Sequence, residues 1–250
     1  MQISFQTNIG RKRKNNQDTV GIFLNQEDVS LAIVADGMGG HQAGDTASNL
    51  LVTNLGASWE QTVLSERDAV VDWLLTYIQK ENTAIFQKGL NNPALFGMGT
   101  TIVAAIMLEK ELILAHVGDS RAYLIRDNHI SQLTEDHSLV NELVKAGEIT
   151  AEMAATHPRR NVLTRSVGMP EEVEVDISFV AVSDGDKVLL CSDGLTNMLS
   201  DNNIKDIVLE TTPLDDRVRT LIDEANEAGG SDNITVLLIE FAPASGEGTE

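Results

Sequence analysis

Seven short runs of Val, Ile, Leu and Ala, each bounded by turn-forming residues, constrain the fold of this 250-residue chain more than any other feature. They are SLAIVADG (30–37), TTIVAAIML (100–108), LILAHVGD (112–119), AYLIRD (122–127), VEVDISFV (173–180), KVLLCSDG (187–194) and NITVLLIEF (233–241). Runs of this length and β-branched content suit strands of a pleated sheet. Three longer segments have helical spacing: 42–57, 66–88 and 214–228. Strand runs cluster without strict β-α-β alternation, so the pattern favours an α+β fold of antiparallel sheet layers covered by helices. The stretch ELILAHVGDSRAYLIRDNHISQL (111–133) reads as consecutive antiparallel strands, with Asp127-Asn128 in a tight turn. Segment 136–170 carries Pro158 and Pro170 and no obvious strand. It reads as a helical or irregular surface excursion of the kind that serves as a lid or a partner contact. The final APASGEGTE (242–250) reads as a short flexible tail.

Composition narrows the function classes. Lys and Arg number 18 against 38 Asp and Glu, a formal charge of −20. Binding to a nucleic-acid backbone needs clustered cations on a favourable field, so this charge balance argues against non-specific nucleic-acid binding. Hydrophobic residues at 42% supply a globular core, and no apolar run approaches the ~18 residues of a membrane span. The N-terminal MQISFQTNIGRKRK lacks the apolar stretch of a secretory signal. Cys191 is the one cysteine, which excludes an intramolecular disulfide and a Cys-rich zinc site. The expected compartment is the reducing cytoplasm.

The aspartates occupy telling positions. Asp36, Asp119 and Asp193 each end an apolar run, Asp232 immediately precedes the last one, and Asp18 precedes TVGIFL. Strand ends lie along sheet rims, where such acids can converge. Converging carboxylates resist ionisation unless positive charge lies between them, and Mg²⁺ or Mn²⁺ prefers such oxygen ligands. Asp36-Gly37 and Asp193-Gly194 taken singly read as ordinary turns, and the Gly37 carbonyl is a further candidate ligand. Spacing alone leaves turns and a metal site both open. The five histidines show no paired ligand spacing, which argues against zinc, and His116, inside a strand run, reads as a hydrogen-bonded core residue. No GxSxG elbow or Walker loop is present. The run Arg11-Lys12-Arg13-Lys14 is either a solvated turn or the source of one arginine for an anionic substrate.

Seven segments occur in order: RKRKNNQD (11–18), VADGMGGHQAG (34–44), GMGTT (97–101), HVGDSRAYL (116–124), LTRSVG (163–168), CSDGLTNML (191–199) and GGSDNITV (229–236). Together they resemble the type 2C metal-dependent protein serine/threonine phosphatases, most closely the short bacterial members, over residues 1–241. The resemblance implies one catalytic domain: a central antiparallel β-sandwich flanked by α-helices on both sides, in αββα layers, with 136–170 as a flap. It implies two Mn²⁺ or Mg²⁺ ions, with Asp36 bridging both and the Gly37 carbonyl on one. Asp193 and Asp232 complete the second site, Asp18 contributes directly or through water, and Asp119 matches the ligand of a third, weaker ion. Arg13 matches the residue that clamps the substrate phosphate. The implied reaction is hydrolysis of phosphoserine and phosphothreonine esters by direct attack of a metal-bridging hydroxide, without a phosphoenzyme. Phosphorylated proteins and a cognate membrane Ser/Thr kinase are the implied partners, with the chain acting as a monomer.

Two positions depart from the wider family. Gln17 stands where many eukaryotic members have Glu, and Met38 stands where they carry a histidine proposed as general acid. His41 is a nearby substitute or a structural residue; water on the third ion is another candidate. Alternatives to a protein phosphatase are a silent docking relative and a phosphatase of small metabolites.

Overall fold

The computed structural model describes residues 1–40 and 43–241. The runs over Ser30–Met38, Ile102–Met107, Glu111–Val117, Lys187–Cys191 and Ile234–Glu240 are long and unbroken because they are covered on both faces, and two antiparallel sheets stacked between helices achieve this. The first sheet has the order β1 (Gln2–Asn8), β11 (Ile234–Glu240), β10 (Lys187–Cys191), β7 (Arg121–Arg126), β8 (His129–Gln132). The second has the order β2 (Asp18–Leu24), β3 (Ser30–Met38), β5 (Ile102–Met107), β6 (Glu111–Val117), β9 (Asp176–Ala181), and short β4 (Gly99–Thr100) pairs with the end of β3. On β3, Ala32 and Val34 point between the sheets with Val103, Leu114, Leu190 and Leu237. Leu31, Ile33 and Ala35 face the opposite way, against α1 (Ala43–Trp59) and α2 (Arg67–Asn91). On β10 and β11, Leu189, Cys191, Val236 and Leu238 meet α5 (Asp193–Thr196), α6 (Asp201–Val208) and α7 (Leu214–Glu227). The result is the expected α+β sandwich in αββα layers.

Three expectations need correction. First, β6 and β7 follow one another but do not pair: β6 lies between β5 and β9, whereas β7 lies between β10 and β8. The turn at Gly118–Ser120 carries the chain from one sheet to the other. The hairpin expected at Asp127-Asn128 does form, between β7 and β8, with both residues at positive φ (47° and 62°). Second, β1 is not among the apolar runs, because QISFQTN carries only two apolar residues among polar ones and buries only Ser4. Third, α6 lies outside the segments of helical spacing, being only eight residues long. Segment 136–170 contains α3 (Leu139–Lys145) and α4 (Ala151–Ala155) and is joined to its surroundings by the bridges Ser138↔Leu163 and Thr100↔Val167. Residues 242–250, expected to be a tail, lie outside the described residues. No helix among the described residues is long and apolar enough to cross a membrane.

Removing a side chain from the intersheet layer leaves a void between two facing sheets. Leu237→Ala, at a fully buried position, is expected to cost about 2–5 kcal/mol in a denaturant titration. Leu24→Ala, at a position 52% exposed, is expected to cost less than about 1 kcal/mol.

Candidate functional site

One end of the sandwich collects the sequence-marked aspartates. Asp18 opens β2 and sits directly opposite Asp36 of β3 in the strand register. The Asp36 backbone is pinned: its N–H donates to Thr101 Oγ1 (2.9 Å), and its carbonyl accepts from Thr101 N–H (2.9 Å) and Thr100 Oγ1 (3.0 Å). Asp119 follows β6 at the turn between sheets. Asp193 starts α5 immediately after β10, and Asp232 lies two residues before β11.

Glycine permits this convergence at two places. A Cβ on Gly37 would lie 2.1 Å from the Gly44 carbonyl oxygen, so only glycine lets β3 approach the start of α1. A Cβ on Gly194 would lie 1.9 Å from the Asn233 carbonyl oxygen, so the Asp193 turn closes on the Asp232 loop for the same reason. Both Asp-Gly pairs therefore exist for close approach.

A cavity of about 250 Å³ opens among Asp36, Gly37, Asp119, Asp193, Asp232 and Arg13, with Asn161 and Leu163 of the excursion in its wall. Asp18 is buried behind it. Asp18 Oδ2 accepts from Ser192 Oγ and Thr235 Oγ1, both at 2.7 Å, while Oδ1 is buried with no hydrogen-bond partner. Asp193 Oδ2 accepts from Asn197 Nδ2 (2.9 Å), and its Oδ1 is likewise buried and unpartnered. Burial pushes the Asp18 carboxyl up to about 7 and Asp119 up to about 8, the neighbouring Asp193 charge adding to each. Asp193 rises to about 6 through burial and the Asp232 charge. Asp36 rises well above the usual carboxylate range, through burial and then the charges of Asp18 and Asp193. Such carboxyls must hold either protons or cations.

Arg13 Nη2 donates to Asp232 Oδ2 at 2.6 Å, with the arginine side chain half exposed. Its loop is stitched to the same end of the sandwich. Arg11 and Lys12 donate their backbone N–H groups to the Gly230 carbonyl (2.8 and 3.1 Å). Asn233 Nδ2 donates to the Ile9 and Asn15 carbonyls, and its Oδ1 accepts from Gln17 N–H. Sequence reasoning misses Asn233 as the clamp of this loop, and Ser192 and Thr235 as the donors to Asp18. Their only signal is membership of the motifs around Asp193 and Asp232. Met38 lines the cavity, and His41 lies outside the described residues.

A second titratable cluster sits beneath the Asp119 turn, and histidine spacing gives no hint of it. His116, His137 and Asp176 bring their ligating atoms within 4.8 Å of one another. His137 Nδ1 accepts from Gly118 N–H (3.1 Å), so Nε2 carries the proton and donates to Asp176 Oδ2 (3.2 Å). Asp176 Oδ1 accepts from Arg165 Nη1 (3.0 Å). The paired His137 and Asp176 brace Gly118, and with it Asp119. His116 is buried as expected, yet neither ring nitrogen has a hydrogen-bond partner, which corrects its reading as a hydrogen-bonded residue. Burial lowers its pKa to about 4, so it packs neutral against the His137 ring at 4.6 Å.

A family model described as "Protein phosphatase 2C" matches residues 7–238. The chain belongs to the protein phosphatase 2C family. It is 47% identical over 241 residues to the protein phosphatase PhpP of Streptococcus pneumoniae serotype 2, covering 96% of this chain and 98% of the relative. The solved serine/threonine phosphatase of S. agalactiae superposes with a TM-score of 0.94 at 47% identity, covering 96% and 98% of the two chains. The catalytic domain of the phosphatase PstP, solved in complex with two manganese ions, superposes with a TM-score of 0.85 at 33% identity, covering 97% and 98%. The αββα sandwich of this protein phosphatase 2C chain is the fold of those solved structures.

The raised carboxyls set a pH dependence for the protein without divalent ions. Their folded pKa values lie above the unfolded value near 3.8, so folding favours the protonated forms. Their stabilising effect is full below about pH 4 and is lost as pH rises through 6 to 8. In chelator, the melting temperature should therefore fall between pH 5 and 9, against the trend of an ordinary salt-bridged protein. Asp119→Asn should leave it nearly unchanged at pH 4 and raise it by a margin that grows up to about pH 8, read by differential scanning calorimetry.

Proposed function

We propose that this chain is a metal-dependent protein serine/threonine phosphatase that hydrolyses phosphoserine and phosphothreonine esters in proteins. The supporting observation is the gathering of Asp36, Asp119, Asp193 and Asp232 with Arg13 around one cavity, backed by buried Asp18. An all-oxygen donor set suits Mn²⁺ or Mg²⁺, and the unpartnered buried oxygens of Asp18 and Asp193 are where coordination would relieve an electrostatic cost. Asp36, the Gly37 carbonyl, Asp193 and Asp232 would hold two ions, with Asp18 contributing directly or through water and Asp119 holding a third, weaker ion. Bound there, the ions would lower the pKa of a water and neutralise phosphate charge.

The chain's own residues do the rest. Arg13 binds phosphate oxygens with the part of its fork not committed to Asp232, and the Asp232 contact fixes its direction. Asn233 keeps the Arg13 loop against the cavity. Met38 excludes water from one wall and cannot donate a proton. The proton for the departing Ser or Thr oxygen is assigned to His41, three residues further along the chain. Residues 1–241 are taken as one catalytic domain with 136–170 as a flap beside the site. The finer reading is a cytoplasmic monomer that reverses the action of a cognate Ser/Thr kinase, supported by the resemblance to the short bacterial phosphatases. Dephosphorylation of kinase-modified cell proteins, with and without chelator, tests that part.

Hydrolysis of a phosphopeptide and of p-nitrophenyl phosphate should require Mn²⁺ or Mg²⁺. Asp36→Asn should lower turnover by at least ~10²-fold, as loss of a principal charge-stabilising group does. Hydrogen bonds to charged groups contribute ~1.5–3 kcal/mol, so Arg13→Ala should lower kcat/KM roughly 10–100-fold. Full turnover in Asp36→Asn would end the assignment. For His41, the comparison is between leaving groups: His41→Ala should slow phosphopeptide hydrolysis far more than that of p-nitrophenyl phosphate, whose good leaving group needs little protonation. Equal losses on both would remove His41 from the proton-donor role.

A further inference from the structure

The cavity lined by the aspartates is not isolated. Met38, in its wall, also lines a second hollow of about 190 Å³ whose character is the opposite. That hollow is built from Phe86, Leu90, Phe96, Met98, Met169 and Pro170 and contains no charged side chain. Several of its apolar groups face solvent: Phe96 is 73% exposed, the most of any large apolar side chain among the described residues, and Leu90 and Met169 are about half exposed. Exposed apolar groups gathered around a concavity mark a recognition surface more often than chance scatter.

The hollow is held open by the fold. One wall is the end of α2 and the turn Pro93–Leu95, which Asn92 caps by accepting the Ala94 N–H (3.1 Å). The other is the segment 166–170, fastened to α2 by buried Asn82. Its Oδ1 accepts from Gly168 and Met169 N–H (2.7 and 2.9 Å), and its Nδ2 donates to the Met169 and Glu171 carbonyls (3.2 and 2.9 Å). Through different walls, Asp119, Asn161 and Asp193, the aspartate-lined cavity also continues into a polar hollow of about 410 Å³. A chain entering the cavity therefore meets apolar surface past Met38 and polar surface past Asp119, Asn161 and Asp193.

We propose that the Leu90–Phe96–Met169 hollow is a specificity subsite that receives an apolar side chain of the phosphorylated substrate protein, close in sequence to the phosphoresidue. The inference rests on the phosphatase reading of the adjoining cavity and adds a preference to it. Continuity through Met38 selects this occupant: whatever places its phosphate among the aspartates brings its neighbouring residues to the rim of the hollow. A protein of charge −20 gains little from acidic flanks there, whereas an apolar flank buries surface on both partners.

The test uses the full chain with saturating Mn²⁺ and a phosphothreonine peptide series in which Leu replaces Ser at each neighbouring position, one at a time. Leu on one side of the phosphoresidue, and not on the other, should raise kcat/KM about tenfold, mainly through KM. Leu90→Ser and Phe96→Ser should abolish that gain, Phe96→Leu should retain it, and p-nitrophenyl phosphate hydrolysis should be unchanged in all three. Both Ser variants alter exposed positions, and that unchanged small-ester activity reports that the fold is intact. Turnover of every peptide without a Leu preference would overturn the subsite and leave the phosphatase reading standing. The subsite is likewise overturned if the Ser variants alter only the sedimentation-measured association state, because the occupant would then be a second copy of the chain. Absence of turnover on peptides and small ester alike would overturn both.

Discussion

Burial of carboxylates that the fold holds together, with their mutual repulsion added to it, is the constraint on which the rest of this structure turns. Asp18, Asp36, Asp119, Asp193 and Asp232 come from five separate stretches of chain, and an isolated buried acid would cost several kcal/mol unless neutralised. Arg13 answers only Asp232 directly, by a 2.6 Å contact. The remaining carboxyls stay elevated in proton affinity because burial is the leading cause for each, and burial is imposed by the strands behind them. Everything that brings backbone close at this end, from the Gly37–Gly44 approach to the Gly194–Asn233 approach, increases that electrostatic load. A fold that accepts such a load is organised around a positively charged ligand.

The strands most legible in the sequence are those whose two faces are both covered. Leu31 through Ala35 read as one apolar block because odd residues meet α1 and α2 while even ones meet the other sheet. The same logic hides β1: an edge strand paired only with β11 carries polar residues on its open side, so QISFQTN lacks the block. Pairing is harder still. Between β6 and β7 the local pattern matches a hairpin, and only the competition between two sheets for partners sends them apart. Such a choice is made by distant strands, β9 and β10, that no local window contains.

Site residues divide in the same way. Asp36 and Asp193 are visible because each is an acid at the end of an apolar run, a context that recurs along the chain although each Asp-Gly pair alone reads as a turn. Ser192, Thr235 and Asn233 are small polar residues whose importance lies in what they touch: Asp18 in two cases, the 9–17 loop in the third. His116, His137 and Asp176 show the limit most plainly. They are far apart in the chain and have no ligand-like spacing, yet a strand register, a turn and the start of β9 bring them together under Gly118.

Asp18 shows why the site and the sandwich are one energetic unit. It belongs to β2 of one sheet, but both hydroxyls that bind its Oδ2 come from the other: Ser192 at the end of β10 and Thr235 on β11. Separating the sheets would free this carboxylate to ionise in water, and docking them strips it of solvent and leaves its second oxygen without a partner. Sheet docking is therefore opposed by the same group that would favour cation binding. A ligand that binds only the docked state stabilises it in proportion to its affinity. Cation binding at this end would thus be coupled to closure of the sandwich, with Asp18 as one of the links.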